Sequence, residues 1–294
     1  MKFQLRPAAI ALVAAALLAG CGSGAPEQVE TRASTTQQLQ RIVSLSPTAT
    51  ETLFEIGAGR QVVAVDDQST YPADAPRTKL SGYEPNVEAI AGYRPDLVVV
   101  ADDTKNISAQ LKQLGIDTLV ALPPKTLDGA YEQVDQLGAV TGHEAEAGEL
   151  VERMKKQIAD LTRALTKRAT PLSYYHELDD TLYSVTSTTF VGQIYALAGL
   201  RNVADPADKS GGGYPQLSAE HLVRSDPDLV FLADTKCCAQ NAQTFAKRPG
   251  FARLKAVRNG QVVLLDDDVA SRWGPRIVDL LAAVVRAVEA VPAT

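Results

Sequence analysis

The 294-residue sequence predicts an α/β protein of two Rossmann-like lobes joined by a single long helix, with a cleft between the lobes. Three observations carry that expectation. Short apolar runs alternate with helical patterns, as in mostly parallel sheets covered by helices. The stretch NVEAIAGYRPDLVVV (Asn86 to Val100) returns as SAEHLVRSDPDLVFL (Ser218 to Leu232), setting Glu88 against Glu220, Ile90 against Leu222, Pro95 against Pro227 and Asp96 against Asp228. One long amphipathic helical pattern lies between the two copies. At 45% hydrophobic residues the chain has apolar material for two cores.

The N-terminal residues stand apart from this plan. Lys2 and Arg6 precede an apolar run, Pro7 to Leu18, which is shorter than the roughly 20 residues a membrane span needs. Leu18-Ala-Gly-Cys21 follows and resembles a bacterial lipobox, which implies that Cys21 is acylated and becomes the mature N-terminus. Residues 1–21 are therefore expected to be a lipoprotein signal peptide. Residues 22–39, rich in Ser, Thr, Gly and Gln, read as a flexible tether.

The N-terminal lobe is expected over 40–141. Its first strand is Arg41 to Leu45, and Ser46-Pro47 then opens a helix, with Ser as cap and Pro where a missing N–H is harmless. Gly57 to Gly59 end that helix. Strands at 61–65, 96–101 and 116–122 alternate with helices near 86–93, 105–114 and 127–139. The connecting helix is placed at 142–168. Thr141 caps it, Glu144 completes a capping box, and Leu150, Val151, Met154, Ile158, Leu161 and Leu165 form its apolar stripe. About 25 residues give a rod of about 38 Å. The C-terminal lobe, 169–294, restarts the pattern with strands at 172–177, 228–233 and 261–265 and helices at 190–198, 217–224 and 275–291.

Charge and motifs narrow the function. Without Lys2 and Arg6 the body carries 27 basic against 35 acidic residues, a balance of −8, so it lacks the positive excess that nucleic-acid binding needs. There is no G-x-S-x-G or H-E-x-x-H, and GAG at Gly57 to Gly59 follows a helix, whereas a phosphate loop precedes one. No catalytic residues, resident cofactor or metal are expected. His176, near a strand end, is either structural or a metal or haem ligand, and no second His stands at zinc spacing.

In parallel sheets ligands gather beyond the carboxyl ends of strands. These ends are Ser44–Pro47, Asp66–Tyr71, Ala101–Thr104, His176–Tyr183, Asp234–Cys238 and Asp266–Trp273. Tyr71, Tyr83, Tyr183, Tyr214 and Trp273, the single tryptophan, fall in loops near them and suggest a cleft for a flat, largely apolar ligand. Asp268, with Asp266 and Asp267, offers acceptors for ligand amides, and Arg272 could do likewise or meet a carboxylate. Cys237 and Cys238 border the cleft as a flat contact surface, a thiolate site or two small loop residues. Adjacent Cα atoms stand about 3.8 Å apart, so a bridge between them closes a tight ring.

Leu45-Ser-Pro47, Tyr71-Pro72, Asn86-Val-Glu88, Pro95-Asp-Leu97, Tyr214-Pro-Gln216, Glu220 and Arg272-Trp-Gly-Pro-Arg276 resemble the helical-backbone class of ABC-importer substrate-binding proteins, from about Arg41 onward. That class includes binders of cobalamin, ferric siderophores and haem, and the chain is most similar to the cobalamin binders. The resemblance implies that Ser46 borders the site and that Tyr71, Tyr83, Tyr183 and Tyr214 surround a corrin ring. Tyr83 and Tyr214 stand where the cobalamin binder has Trp. It also implies that Glu88 and Glu220, one per lobe, dock on arginines of a two-fold permease served by an ATPase. The expected function is a lipid-anchored importer subunit that captures cobalamin or a related corrinoid. The alternatives are a ferric siderophore or haem carrier of the same class, and a surface enzyme or sensor on this fold.

Overall fold

The computed structural model describes residues 41–292, so the expectations for Cys21 and for residues 1–21 and 22–39 fall outside the described residues. The first lobe runs β1 (Ile42–Leu45), α1 (Pro47–Glu55), β2 (Val62–Asp66), β3 (Arg77–Leu80), α2 (Val87–Ala91), β4 (Leu97–Val100), α3 (Ile107–Gln113), β5 (Asp117–Val120) and α4 (Leu127–Thr141). Its strands form one parallel sheet in the order β3-β2-β1-β4-β5. After α5 (Glu144–Arg163) come β6 (Ser173–Glu177), α6 (Phe190–Leu197), β7 (Arg201–Asn202), α7 (Ala219–Ser225), β8 (Leu229–Leu232), α8 (Ala242–Ala246), α9 (Lys255–Arg258), β9 (Val262–Leu264), α10 (Asp267–Ala270) and α11 (Ile277–Ala290). These strands form a separate parallel sheet, β7-β6-β8-β9.

The order β2-β1-β4-β5 recurs as β7-β6-β8-β9, so the repeat in the sequence is a repeat of topology. Its wording has a local cause. Asp96, just before β4, accepts the backbone N–H of Arg41 at 3.1 Å. Asp228, just before β8, accepts the N–H of Ser173 at 2.8 Å and its hydroxyl at 2.7 Å. In each lobe the repeated aspartate satisfies a donor at the start of the neighbouring central strand, which would otherwise be orphaned. The central strands β1, β4, β6 and β8 are buried along their whole length; β4 and β8 accordingly read as unbroken apolar runs, while β1 buries Ser44 and β6 buries Ser173, His176 and Glu177.

Ser46 caps α1 as expected, its hydroxyl accepting the Ala49 N–H at 3.3 Å. The connecting helix is corrected in two respects. Thr141 is the last residue of α4, not the cap of the rod, and Gly142 takes a left-handed φ of 74° that stops α4. His143 occupies the cap position and α5 has 20 residues, about 30 Å rather than about 38 Å. The link between lobes is thus a helical hairpin. Gly138 makes it possible, since a Cβ there would stand 2.5 Å from the Ala147 methyl.

One apolar cluster joins the lobes from below, reaching from Ile42 and Leu53 through Leu137, Leu150 and Met154 to Tyr195 and Leu281. Separate clusters fill the far side of each sheet. Among the described residues no helix is long and apolar enough to cross a membrane.

Candidate functional site

Two adjoining cavities occupy the cleft. The first, about 450 Å³, lies over the carboxyl ends of β1, β2 and β4, where Leu45, Ser46, Asp66, Ala101 and Asp102 line it together with Tyr83. The second lobe closes it with Asp268, Ser271, Arg272 and Trp273. The second cavity, about 480 Å³, is walled by Pro123 to Lys125 beyond β5, the start of α6 and the loop Gly211 to Tyr214. Pro123, Ser271, Arg272 and Trp273 line both, so the two spaces meet over these four residues. This is where a parallel sheet presents its strand ends to a ligand.

A charged network fixes the floor. Glu51, on α1, is 1% exposed and accepts from Arg272 Nη1 at 2.8 Å and Arg276 Nε at 2.9 Å. Arg272 also donates to Asp268 at 2.7 Å and to the Gln68 carbonyl at 3.0 Å. Asp268 takes Lys236 Nζ at 2.9 Å and the Thr70 hydroxyl at 3.3 Å. A buried carboxylate needs such pairing, and this one draws its partners from the opposite lobe. Trp273 is held by its indole N–H, which donates to Gln133 at 3.0 Å.

The expected site residues divide into two groups. Ser46, Tyr83, Asp268, Arg272 and Trp273 converge on the first cavity, and Tyr214, Arg272 and Trp273 on the second. Tyr83 is 79% and Tyr214 57% exposed, large apolar faces turned to solvent at the cleft. Tyr71, Tyr183, Cys237 and Cys238 line neither cavity. Tyr71 lies under the Arg276 guanidinium, 4.3 Å from its ring centre, and Tyr183 bridges to Gln216. The sulfurs of Cys237 and Cys238 are bonded to one another. Their segment is clamped by Asp267, whose carboxylate accepts the N–H groups of Thr235 at 2.8 Å and Cys237 at 2.9 Å. Arg272 lines both cavities, and its guanidinium meets carboxylates of the protein itself, Glu51 and Asp268.

His176 does not reach the cleft. It is 0% exposed, its Nδ1 lies 2.7 Å from the Tyr195 hydroxyl, and burial pushes its pKa down to about 3, so the ring is neutral at physiological pH. Haem or metal ligation by His176 is incompatible with that position. Among the described residues no group of three or more His, Cys, Asp or Glu is arranged to hold a metal. Asp66, on the first cavity, is also buried, and burial raises its pKa above the usual carboxylate range.

Glu88 and Glu220 are both exposed and occupy the second position of α2 and α7, behind the caps Asn86 and Ser218. Glu51, Gln68 and Lys125 line or brace the cleft without having been singled out in the sequence. No signal in the sequence separated Glu51, which is buried, from Glu55 on the same helix, which is exposed.

A family model described as periplasmic binding protein matches residues 42–269. The cobalamin-binding protein of Halobacterium salinarum is 31% identical over 271 residues, covering 89% of this chain and 73% of that protein. The crystal structure of the vitamin B12 binding protein BtuF of Vibrio cholerae superposes with a TM-score of 0.72 at 26% identity, covering 85% of this chain and 97% of the other. The haem-binding protein RhuT from Roseiflexus sp. RS-1 gives 0.73 at 26% identity, with 85% and 99% covered.

Proposed function

The chain belongs to the periplasmic binding protein family, exported and non-catalytic carriers that deliver a small molecule to an ABC permease and its ATPase, and from that premise we propose that its cargo is a tetrapyrrole. One observation carries the reading: two cavities of about 450 and 480 Å³ meet over Trp273, with Tyr83 and Tyr214 on their walls. Aromatic faces match a flat macrocycle, and the combined space is in the range of small-molecule sites. A corrinoid suits the first cavity, where Asp66, Asp102 and Asp268 can accept from peripheral amides. Haem is the second reading. The exposed phenols of Tyr83 and Tyr214 supply oxygen ligands for iron that His176 cannot.

In this reading Cys21 carries the lipid anchor, and Glu88 and Glu220 meet the two permease subunits. Titration calorimetry with cyanocobalamin and haemin tests the cargo, with submicromolar affinity expected for one of them. An absorption spectrum of the loaded protein separates a corrin from a Soret band. Absence of saturable binding by both contradicts the proposal, and saturable binding of a ferric siderophore instead moves the cargo outside the tetrapyrroles.

A further inference from the structure

The two cavities differ in charge. Among the described residues Asp66, Asp102 and Asp268 line the first together with Arg272, whereas no carboxylate lines the second, where Lys125 and Arg272 are the charged side chains. Arg272 is neutralised by Glu51 and Asp268. Lys125 has no hydrogen-bond or ion-pair partner for its ammonium among the described residues, while its backbone carbonyl is fixed by the side chain of Gln193. Asp208, in the loop that leads into this wall, does not line the cavity, and its carboxylate accepts the N–H groups of Gly212 at 3.2 Å and Gly213 at 2.8 Å.

Thr188 and Thr189 line the same cavity as Lys125, next to the first turn of α6. A helix start favours negative charge, which adds to the lysine without replacing it as the argument.

We propose that the second cavity is an anion subsite in which Lys125 takes a carboxylate or phosphodiester of the cargo, while the acidic first cavity takes its hydrogen-bond donors. The cleft then reads orientation as well as shape, because a ligand entered in reverse would set its anion against Asp66 and Asp102, which have no ion-pair partner among the described residues, whereas Asp268 is already paired with Arg272 and Lys236. Lys125 is therefore a specificity-determining residue, and the assignment rests on the tetrapyrrole reading above. It favours cargo that carries both donor groups and an anion over a uniformly apolar macrocycle.

The test pairs ligands that differ in the anion. Cyanocobalamin carries a phosphodiester that dicyanocobinamide lacks, and haemin carries carboxylates that its dimethyl ester masks. Calorimetry on the wild type should show tighter binding of the anion-bearing member of whichever pair binds, by about tenfold, the scale of one charge-assisted contact. Lys125→Met should erase that preference and Lys125→Arg should keep it. A wild type without the preference, or a Lys125→Met variant that retains it, overturns the inference while leaving the tetrapyrrole reading intact. If none of the four ligands binds, the tetrapyrrole reading falls, and the subsite is decided by titrating inorganic pyrophosphate against the fluorescence of Trp273, the single tryptophan. A saturable change lost in Lys125→Met sustains the subsite, and an unresponsive wild type removes it.

Discussion

Glu51 is a buried acid whose charge is tolerable only because Arg272 and Arg276 reach it from the far end of the chain. Replacing it with alanine leaves two partly buried guanidinium groups face to face, a loss of about 3–5 kcal/mol. In a chain of this size each kcal/mol moves the melting point by about 2–4 °C. Scanning calorimetry of Glu51→Ala should therefore show a fall on the order of 6–20 °C, and a melting point within error of wild type contradicts the network. A second buried acid responds to pH. Asp234 is fully buried beside Glu177, and burial first, then the charge of Glu177, push its pKa up to about 7. Its proton favours the fold, so that contribution is complete below the ordinary carboxylate pKa and is lost as pH rises through about 7. Wild type should gain melting temperature relative to Asp234→Asn between pH 8 and pH 5, and a constant difference over that range contradicts the shift. Trp273, Tyr83 and Tyr214 could be found in the sequence because an aromatic in a polar loop needs a reason to be there. Glu51 was not legible, since most helical acids are solvated and its partners lie 221 and 225 residues away.

Among the elements, the helical hairpin α4–α5 sets how the lobes stand. Its close approach rests on Gly138 against Ala147, with no room for a side chain between them. Gly138→Leu should destabilise by about 1–3 kcal/mol through overpacking, read as a shift of the urea midpoint, and an unchanged midpoint contradicts the close contact. The hydrophobic period identified both helices, but it could not place the break between them. Thr141 and Glu144 match a capping box, and only the left-handed backbone at Gly142 shows that Thr141 belongs to the previous helix. The inner strands were legible as apolar runs. The edge strand β3, Arg77-Thr-Lys-Leu80, was not, because an edge exposed on one side keeps polar residues and loses the apolar signal. β7 has two residues and is too short to carry any pattern.

At the scale of the whole molecule, a duplicated α/β unit yields a cleft with strand ends on both walls and a matched helix on each lobe. The cluster running beneath both lobes and the Glu51 network across the cleft oppose a wide hinge motion. Solution scattering should give the same radius of gyration with and without bound ligand, within error, and a large contraction contradicts that rigidity. Glu88→Gln and Glu220→Gln should each lower uptake through the permease while leaving ligand affinity unchanged, and undiminished uptake in the double variant removes them from docking. The duplication and the cleft were legible from one repeated phrase. The division of the cleft into an acidic and a basic half was not, because it depends on which loops of the two lobes meet. The most direct measurement is a crystal structure of the protein loaded with cobalamin or haem. The account predicts one macrocycle per chain lying across Trp273 between Tyr83 and Tyr214, and a ligand bound outside the cleft would contradict it.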